Sequence, residues 1–165
     1  MRMSEPFANS DRNGRDHQAH SSARKLPPCL YVRKSPIDGL GCFAAVRFLK
    51  DSIIAEYAGE KINHAEAMRR MGRDKRRRIT QLDDDTYIDG SIGGNDTRYI
   101  NHSCAANADA VNLDGTMVIF SLQEIAPGQE ITVDYLNSFE QDHTACLCRT
   151  ASCKERVSRR PAARV

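Results

Sequence analysis

Short apolar segments separated by turn signals run along most of this chain, and this spacing limits the folds that it can adopt. The Asp114-Gly115 pair lies between two apolar segments and is typical of a two-residue β-hairpin turn. The Pro127-Gly128 pair suits a type II turn and predicts a second hairpin of the same pattern. The sequence has no internal repeat and no alternation of strands with helices. It therefore predicts a mostly β chain built from many short strands.

One segment, residues 63 to 72, has the signals of a helix. Asn63 can cap its start, and Glu66, three residues on, can complete a capping box. Gly72 is suited to end it. The other predicted strands are Cys29–Ser35, Cys42–Phe48, Ser52–Glu60, Thr86–Gly90 and Arg98–Ile100.

Length and charge indicate one domain with polar tails. The chain has 165 residues and a net charge of +2, so the whole molecule is not a polycation. Residues 1 to 27 show no apolar period and predict a disordered tail, and residues 159 to 165 form a basic tail. No apolar run could span a bilayer, and the N-terminus lacks the apolar core of a secretory signal. We therefore expect a soluble, intracellular monomer without membrane contact and with reduced cysteines.

Three cysteines lie within eight residues near the end of the chain: Cys146, Cys148 and Cys153. In a reducing compartment such a group is more typical of a metal site than of disulfides. Thiolates at this spacing favour zinc. The alternative is a set of three surface thiols that bind no metal.

A structural zinc ion takes four ligands, so one more donor is needed. Cys104 is favoured because it lies beside polar residues just before a loop. Cys29 and Cys42 lie in apolar segments, where a buried inert thiol is typical. His143 stays open as a further candidate.

Five motifs then follow one another in a characteristic order: GLG from Gly39, EYAGE from Glu56, RYINHSC from Arg98, EITVDY from Glu130 and CLCRTASC from Cys146. Together they resemble a SET domain, residues 28 to 137, followed by a post-SET zinc segment, residues 142 to 158. The resemblance implies a β-clip fold of small curved sheets with a pseudoknot near the C-terminus and one or two short helices. It also implies that Cys104 is the fourth zinc ligand.

The resemblance implies an activity as well. SET-domain proteins are protein lysine methyltransferases that take the methyl group from S-adenosylmethionine. A histone tail or another basic protein is the implied substrate. The implied cofactor-binding residues are Gly39, Leu40, Gly41, Arg98, Tyr99, Asn101 and His102. Glycines suit that role because backbone without side chains can approach a ligand closely.

Tyr135 is the implied catalytic residue, with its hydroxyl directed at the transfer centre. A tyrosine of ordinary acidity stays protonated at neutral pH, so we expect an orienting and electrostatic role. The incoming lysine must be neutral, and an apolar channel beside a sulfonium cation lowers the pKa of its amine. Tyr57, in the EYAGE motif, either lines the same site or packs in the core.

Several positions depart from the family pattern. Val133 stands where many relatives carry Phe or Tyr, which leaves the number of transferred methyl groups open. Arg78-Ile79-Thr80 replaces an aromatic segment of the substrate channel, and Lys154-Glu155 replaces a common Arg-Gly pair. A catalytically silent binding module is therefore an alternative.

The basic run from Arg69 to Arg78 offers a secondary contact with nucleic acid, which would weaken steeply with salt. The compartment depends on the host, and we expect the cytoplasm in a bacterium or the nucleus, on chromatin, in a eukaryote.

Overall fold

The structure is a computed structural model, and it describes residues 28–72, 78–135 and 145–154. The two predicted tails, His143 and most of the basic run beyond Gly72 lie outside these ranges. The predicted domain boundaries therefore stay predictions. No helix in the described ranges is long and apolar enough to cross a membrane.

The described residues form ten strands and two short helices. The strands are β1 (Leu30–Lys34), β2 (Leu40–Ala44), β3 (Ile53–Glu56), β4 (Glu60–Asn63), β5 (Ile79–Gln81), β6 (Thr86–Asp89), β7 (Asn101–His102), β8 (Ala108–Leu113), β9 (Thr116–Ser121) and β10 (Thr132–Val133). The helices are α1 (His64–Met71) and a 3-10 helix (Asp96–Tyr99). This confirms the mostly β prediction.

The strands are divided among four small sheets. Strands β1 and β2 form one antiparallel pair, and β7 and β10 form a parallel pair. The two three-stranded sheets have the orders β3-β9-β8 and β4-β6-β5. In these sheets β8 and β5 are edge strands, and residues of both face the cavity described below.

Helix α1 begins and ends where the sequence predicts. The side chain of Asn63 accepts a hydrogen bond from the backbone of Glu66 at 3.0 Å, and Gly72 caps the C-terminus. The carboxylate of Glu66 does not complete a capping box, because it pairs with Arg69 and Arg70. Among the described residues, the buried side of the helix centres on Ala67.

One of the two predicted hairpins forms. Strands β8 and β9 are joined by Asp114-Gly115, both at positive φ, as a tight hairpin turn requires. The turn at Pro127-Gly128 also forms, and its glycine has a φ of +83°. Its flanks, however, pair with earlier strands instead of with each other. Ile125 bridges to Phe48, and Glu130 bridges to Phe43.

The segment from Arg98 to Ile100 is not a strand, so that prediction is wrong. The side chain of Asn95 accepts a hydrogen bond from the backbone of Thr97 at 3.2 Å and starts the 3-10 helix. This local cap outweighs the β preference of the residues that follow. The backbone is extended from Ile100, and strand β7 begins at Asn101.

The C-terminal part of the fold is enclosed on both sides. Ile131 is fully buried, and its amide donates to the carbonyl of Cys42 at 2.8 Å. On the other side, Thr132 and Val133 run parallel to Asn101 and His102. The segment after β9 therefore runs between β2 and β7, as the predicted pseudoknot requires.

The main core joins these parts. It contains mainly aliphatic side chains from several strands and loops, among them Ile54, Ile100, Ile119, Ile125 and Ile131. A smaller cluster packs α1 against β4 and β6 through Ile62, Ala67 and Tyr87. The main core supports one wall of the candidate site, because Tyr57, Tyr99 and Val133 pack against it.

Candidate active site and metal centre

A cavity of about 120 Å³ lies where the parallel pair meets the edges of the two three-stranded sheets. Ile79 and Gln81 of β5 line one side, and Asp109 and Ala110 of β8 line another. Val133 and Tyr135, from β10 and the residues after it, also line the cavity. The mixture of aliphatic, aromatic and charged walls suits a ligand with a long apolar stem and a polar end.

Two tyrosine hydroxyls face this cavity. The hydroxyl of Tyr135 donates to the carbonyl oxygen of Ile100 at 2.7 Å, and that of Tyr57 donates to the carbonyl oxygen of Arg78 at 2.6 Å. Burial, followed by the proximity of Tyr135 and Asp89, raises the pKa of Tyr57, so its hydroxyl keeps its proton. Tyr57 therefore lines the site, which the sequence had left open.

The predicted cofactor turn is held by Asn101. The side-chain amide of Asn101 donates to the carbonyl oxygens of Asp38 at 3.2 Å and Leu40 at 3.1 Å. Gly39 has a φ of +46°, which favours glycine, and the space beside its Cα is open. The structure therefore brings Gly39, Leu40, Gly41 and Asn101 together.

Glu130 belongs to the same group, and sequence reasoning missed it. Its carboxylate accepts hydrogen bonds from Asn101 Nδ2 at 2.8 Å and from Ser35 Oγ at 2.8 and 3.0 Å. A Cβ at Gly41 would lie 2.3 Å from Glu130 Oε1, so a larger residue there would force the carboxylate of Glu130 to move. Among the described residues, no lysine or arginine forms an ion pair with this carboxylate. The sequence signal that could have identified Glu130 is its position as the first residue of the EITVDY motif.

Arg98 of the 3-10 helix lines the cavity, and its guanidinium group lies beside the ring of Tyr99. The guanidinium groups of Arg78 and Arg98 lie 4.6 and 4.9 Å from the ring centroid of Tyr99. A hydrogen bond from Arg98 lowers the pKa of the Tyr99 hydroxyl. In the described part of the chain, the buried Nε of Arg98 has no hydrogen-bond partner, although such groups are normally satisfied. A bound ligand could supply an acceptor there.

The side chain of His102 is directed away from the GLG turn. Its Nδ1 accepts a hydrogen bond from the amide of Tyr135 at 3.1 Å, and its Nε2 lies 3.4 Å from Cys104 Sγ. Burial lowers the pKa of His102, although Asp134 opposes this effect. His102 therefore contacts the candidate catalytic residue and the cysteine group through one ring.

The four predicted metal ligands lie together. Their sulfur atoms, on Cys104, Cys146, Cys148 and Cys153, are all within 4.8 Å of one another. Zinc–sulfur bonds of about 2.3 Å in a tetrahedral shell place the sulfurs about 3.8 Å apart. The distance between Cys104 Sγ and Cys146 Sγ is 3.7 Å. The four thiols thus fit a tetrahedral metal ion with little rearrangement.

One thiol of this group is set to ionise easily. Burial opposes the ionisation of Cys148, but hydrogen bonds from Thr150 and from the backbone lower its pKa to about 5. Burial raises the pKa of Cys146 to about 12. Because a thiolate is the metal ligand, a lowered thiol pKa within the group favours metal binding.

The loop that carries Cys153 is also tied to the segment that carries Tyr135. The ammonium group of Lys154 lies 3.1 Å from Asp134 Oδ2, and the backbone amide of Lys154 donates to Cys104 Sγ at 3.4 Å. Asp134 itself lines the cavity. The cysteine group therefore lies directly behind the cavity wall.

The chain belongs to the SET domain family. The model of that family matches residues 39–136, which include the GLG turn, Asn101, His102 and Tyr135. The match includes strands β5 and β8, which line the cavity, and both strands of the parallel pair, β7 and β10.

Curated relatives agree with this assignment. The chain is 36% identical over 145 residues to "Histone-lysine N-methyltransferase, H3 lysine-4 specific" of Chaetomium globosum, covering 79% of this chain and 13% of that protein. It is 35% identical over 136 residues to "Histone-lysine N-methyltransferase 2D" of Homo sapiens, covering 76% and 2%. It is 31% identical over 154 residues to "Histone-lysine N-methyltransferase set1" of Dictyostelium discoideum, covering 88% and 10%. The chain thus spans only a small part of the length of these relatives.

Proposed function

We propose that this chain is a protein lysine methyltransferase that uses S-adenosylmethionine. One observation supports the proposal above others: the GLG turn, Asn101, His102 and Tyr135 form one connected group, and Tyr135 of this group lines the cavity. Asn101 reaches the turn, and the neighbouring His102 reaches the amide of Tyr135. Cofactor and substrate would therefore meet beside Tyr135.

The residues present suit a cationic cofactor. S-adenosylmethionine supplies a methyl group that is activated by a sulfonium. The open space at Gly39 allows close approach of a ligand to the backbone. The carboxylate of Glu130 lies beside this turn and, in the described ranges, lacks a cationic partner. It offers a negative charge to a ligand that carries sulfonium and ammonium groups.

The cavity walls suit the other reactant, a lysine side chain. Ile100 and Val133 offer apolar contact to its methylene groups, and the guanidinium groups of Arg78 and Arg98 lie nearby. Desolvation and like charge both lower the pKa of an amine in this place. The lysine would then arrive neutral, with its proton released to water before transfer.

The two tyrosines position the amine. Transfer of a methyl group is an in-line displacement, so its rate depends mainly on alignment. Because the hydroxyl of Tyr57 donates to a carbonyl, its oxygen can still accept a hydrogen bond from a neutral amine. Tyr135 is held at both ends, by Ile100 at its hydroxyl and by His102 at its amide. Both rings therefore fix the direction from which the nitrogen approaches.

We also propose that the four-cysteine group binds zinc. The ion would be held by Cys104, Cys146, Cys148 and Cys153, in agreement with the fit of their sulfur positions. Its role would be to fasten residues 145–154 behind the cavity. The proposed zinc site is compatible with the predicted division into a SET domain, residues 28 to 137, and a zinc segment, residues 142 to 158, whose boundaries stay a prediction.

The proposed substrate is a lysine of a histone tail, or of another basic protein. The names of several relatives specify lysine 4 of histone H3, which makes an H3 peptide the first substrate to test. A histone substrate would place the protein in a nucleus, whereas another substrate leaves a bacterial cytoplasm open.

The test is incubation of the purified full chain with isotopically labelled cofactor and histone H3. Mass spectrometry would locate the labelled methyl groups, and a peptide with arginine in place of lysine 4 serves as the control. Cofactor binding without transfer to any protein in a lysate would contradict the proposal and favour a silent binding module.

A further inference from the structure

His102 lies between the metal-binding group and the candidate catalytic residue. It is 8% exposed, and its ring centroid is 5.3 Å from that of Tyr135 at an interplanar angle of 49°. Its two nitrogens contact different partners on opposite sides, the amide of Tyr135 and the sulfur of Cys104. The ring of His102 therefore connects Cys104 with the backbone of Tyr135.

The hydrogen bonds determine which nitrogen carries the proton. A backbone amide can only donate, so Nδ1 of His102 accepts from Tyr135 at 3.1 Å, and the carboxylate of Asp134 lies farther from the same nitrogen, at 3.5 Å. A neutral imidazole then carries its hydrogen on Nε2. That nitrogen is 3.4 Å from Cys104 Sγ, which is within reach of an N–H···S hydrogen bond. Metal ligands are commonly oriented by such outer contacts.

The backbone reinforces this connection. His102 is paired with Val133 in the parallel sheet, and the amide of Ser103 donates to the carbonyl of Val133 at 3.0 Å. Cys104 and Tyr135 each lie two residues beyond their partner of this pair. The buried ring and the backbone pairing therefore connect the same two segments.

We propose that His102 is a positioning residue that transmits the position of metal-bound Cys104 to the backbone of Tyr135. This inference rests on the proposed methyl transfer and assigns His102 a role besides cofactor binding. A metal-bound sulfur is fixed in space, so it holds Nε2, and Nδ1 in turn holds the Tyr135 amide. The metal thus supports the alignment of the transfer residue as well as the C-terminal segment.

Two substitutions separate the two contacts. His102→Asn can present an amide oxygen near the Nδ1 position to the Tyr135 amide, but it is too short to reach Cys104. His102→Gln can present an amide N–H near the Nε2 position to Cys104, but it leaves the Tyr135 amide without its acceptor. Both variants lose the ring, so a role in packing alone would affect them alike.

The first measurement is spectroscopic and needs no catalysis. The full chain is loaded with cobalt(II), whose thiolate absorption band reports on sulfur ligands, and the Tyr135 amide is followed by NMR. We expect the His102→Gln variant to keep the wild-type cobalt band and lose the wild-type amide shift. The His102→Asn variant should keep the amide shift and change the band.

The second measurement is kinetic. In the metal-loaded protein we expect His102→Gln to lower kcat by about 10- to 100-fold, and His102→Asn to lower it less, while the KM for cofactor changes alike in the two variants. His102→Asn should lose its remaining activity at a lower chelator concentration than wild type. Equal losses in the two variants that follow their melting temperatures would overturn the inference.

A wild-type control covers a variant that fails to fold. Removal of the metal from wild type should shift the Tyr135 amide resonance if the link exists, and an unchanged resonance would refute it. If wild type neither binds the cofactor nor transfers methyl groups, the proposed function fails. The cobalt band and the amide shift still decide on the link in that case.

Discussion

The side-chain amide of Asn101 donates a 2.8 Å hydrogen bond to the carboxylate of Glu130 and also donates to the carbonyl oxygen of Leu40, in the turn that contains Gly39 and Gly41. The two residues are distant in sequence and meet because Glu130 bridges to Phe43, next to the turn. Glu130 thereby brings a negative charge to a turn proposed to bind a cation. This contact has a direct experimental consequence.

Glu130→Gln should weaken binding of S-adenosylmethionine by about tenfold, because it removes the charge and keeps the shape of the side chain. Calorimetry measures this effect. Binding of S-adenosylhomocysteine, which lacks the sulfonium, should fall less if the carboxylate faces the sulfur. Glu124→Gln is the matched control, since Glu124 forms an exposed pair with Arg47. Unchanged affinity in the Glu130 variant would remove that residue from the cofactor site.

Tyr135→Phe removes the hydroxyl that donates to Ile100 at 2.7 Å. We expect methyl transfer to fall by about 100-fold or more, because a fixed polar group at the reaction centre is lost. Cofactor affinity should change little. Tyr31→Phe is the control, since Tyr31 stacks on Phe43 in a different sheet. Full activity in the Tyr135 variant would show that this hydroxyl has no part in transfer.

Val133→Phe should reduce the number of methyl groups added to one lysine. The larger side chain would occupy part of the cavity and leave less space around a methylated amine. The mass of a peptide product after exhaustive reaction measures the effect. Val111→Phe provides the comparison, because Val111 is 41% exposed on β8. An unchanged product mass with Val133→Phe would mean that another residue limits methylation.

Cys148→Ser should release the metal, because it removes a donor from the four-sulfur group. Elemental analysis of the purified protein gives the metal content per chain, with about one zinc expected in wild type. Cys29→Ser should retain it, since Cys29 is exposed and lies outside the group. Equal zinc content in the two variants would argue against this site.

The ion pairs of α1 predict a loss of stability in acid. Hydrogen bonds from Arg69 and then Arg70 lower the pKa of Glu66 from 4.5 to about 2. A lowered carboxyl pKa gives stability that is complete above pH 4.5 and is lost as the pH falls toward 2. Thermal melts in steps across that window should therefore fall more steeply for wild type than for Glu66→Gln. Parallel curves would show that the pairs contribute nothing measurable.

Local signals in the sequence predicted the elements that depend on neighbouring residues. The cap at Asn63, the end at Gly72 and the hairpin at Asp114-Gly115 each need only a few adjacent side chains. The partners of the Pro127-Gly128 flanks could not be predicted in this way. Their pairing depends on strands that lie far away in the sequence.

The same distinction between local signals and long-range contacts applies to the candidate site. The cysteine spacing and the ordered motifs indicated which residues would meet, and the four sulfur atoms do lie together. Glu130 and the orientation of His102 escaped notice, because both depend on contacts across the fold. A carboxylate or an imidazole has no local signal for the direction in which it points.

The parallel pairing of Asn101–His102 with Thr132–Val133 has a consequence for synthesis of the protein. The earlier strands leave the ribosome before the segment that must lie between them has been made. Cofactor turn and transfer residue can therefore come together only after residue 135 has emerged, and the cysteines only after residue 153. Until then the nascent chain has no complete site, and the formation of such long-range contacts is slow.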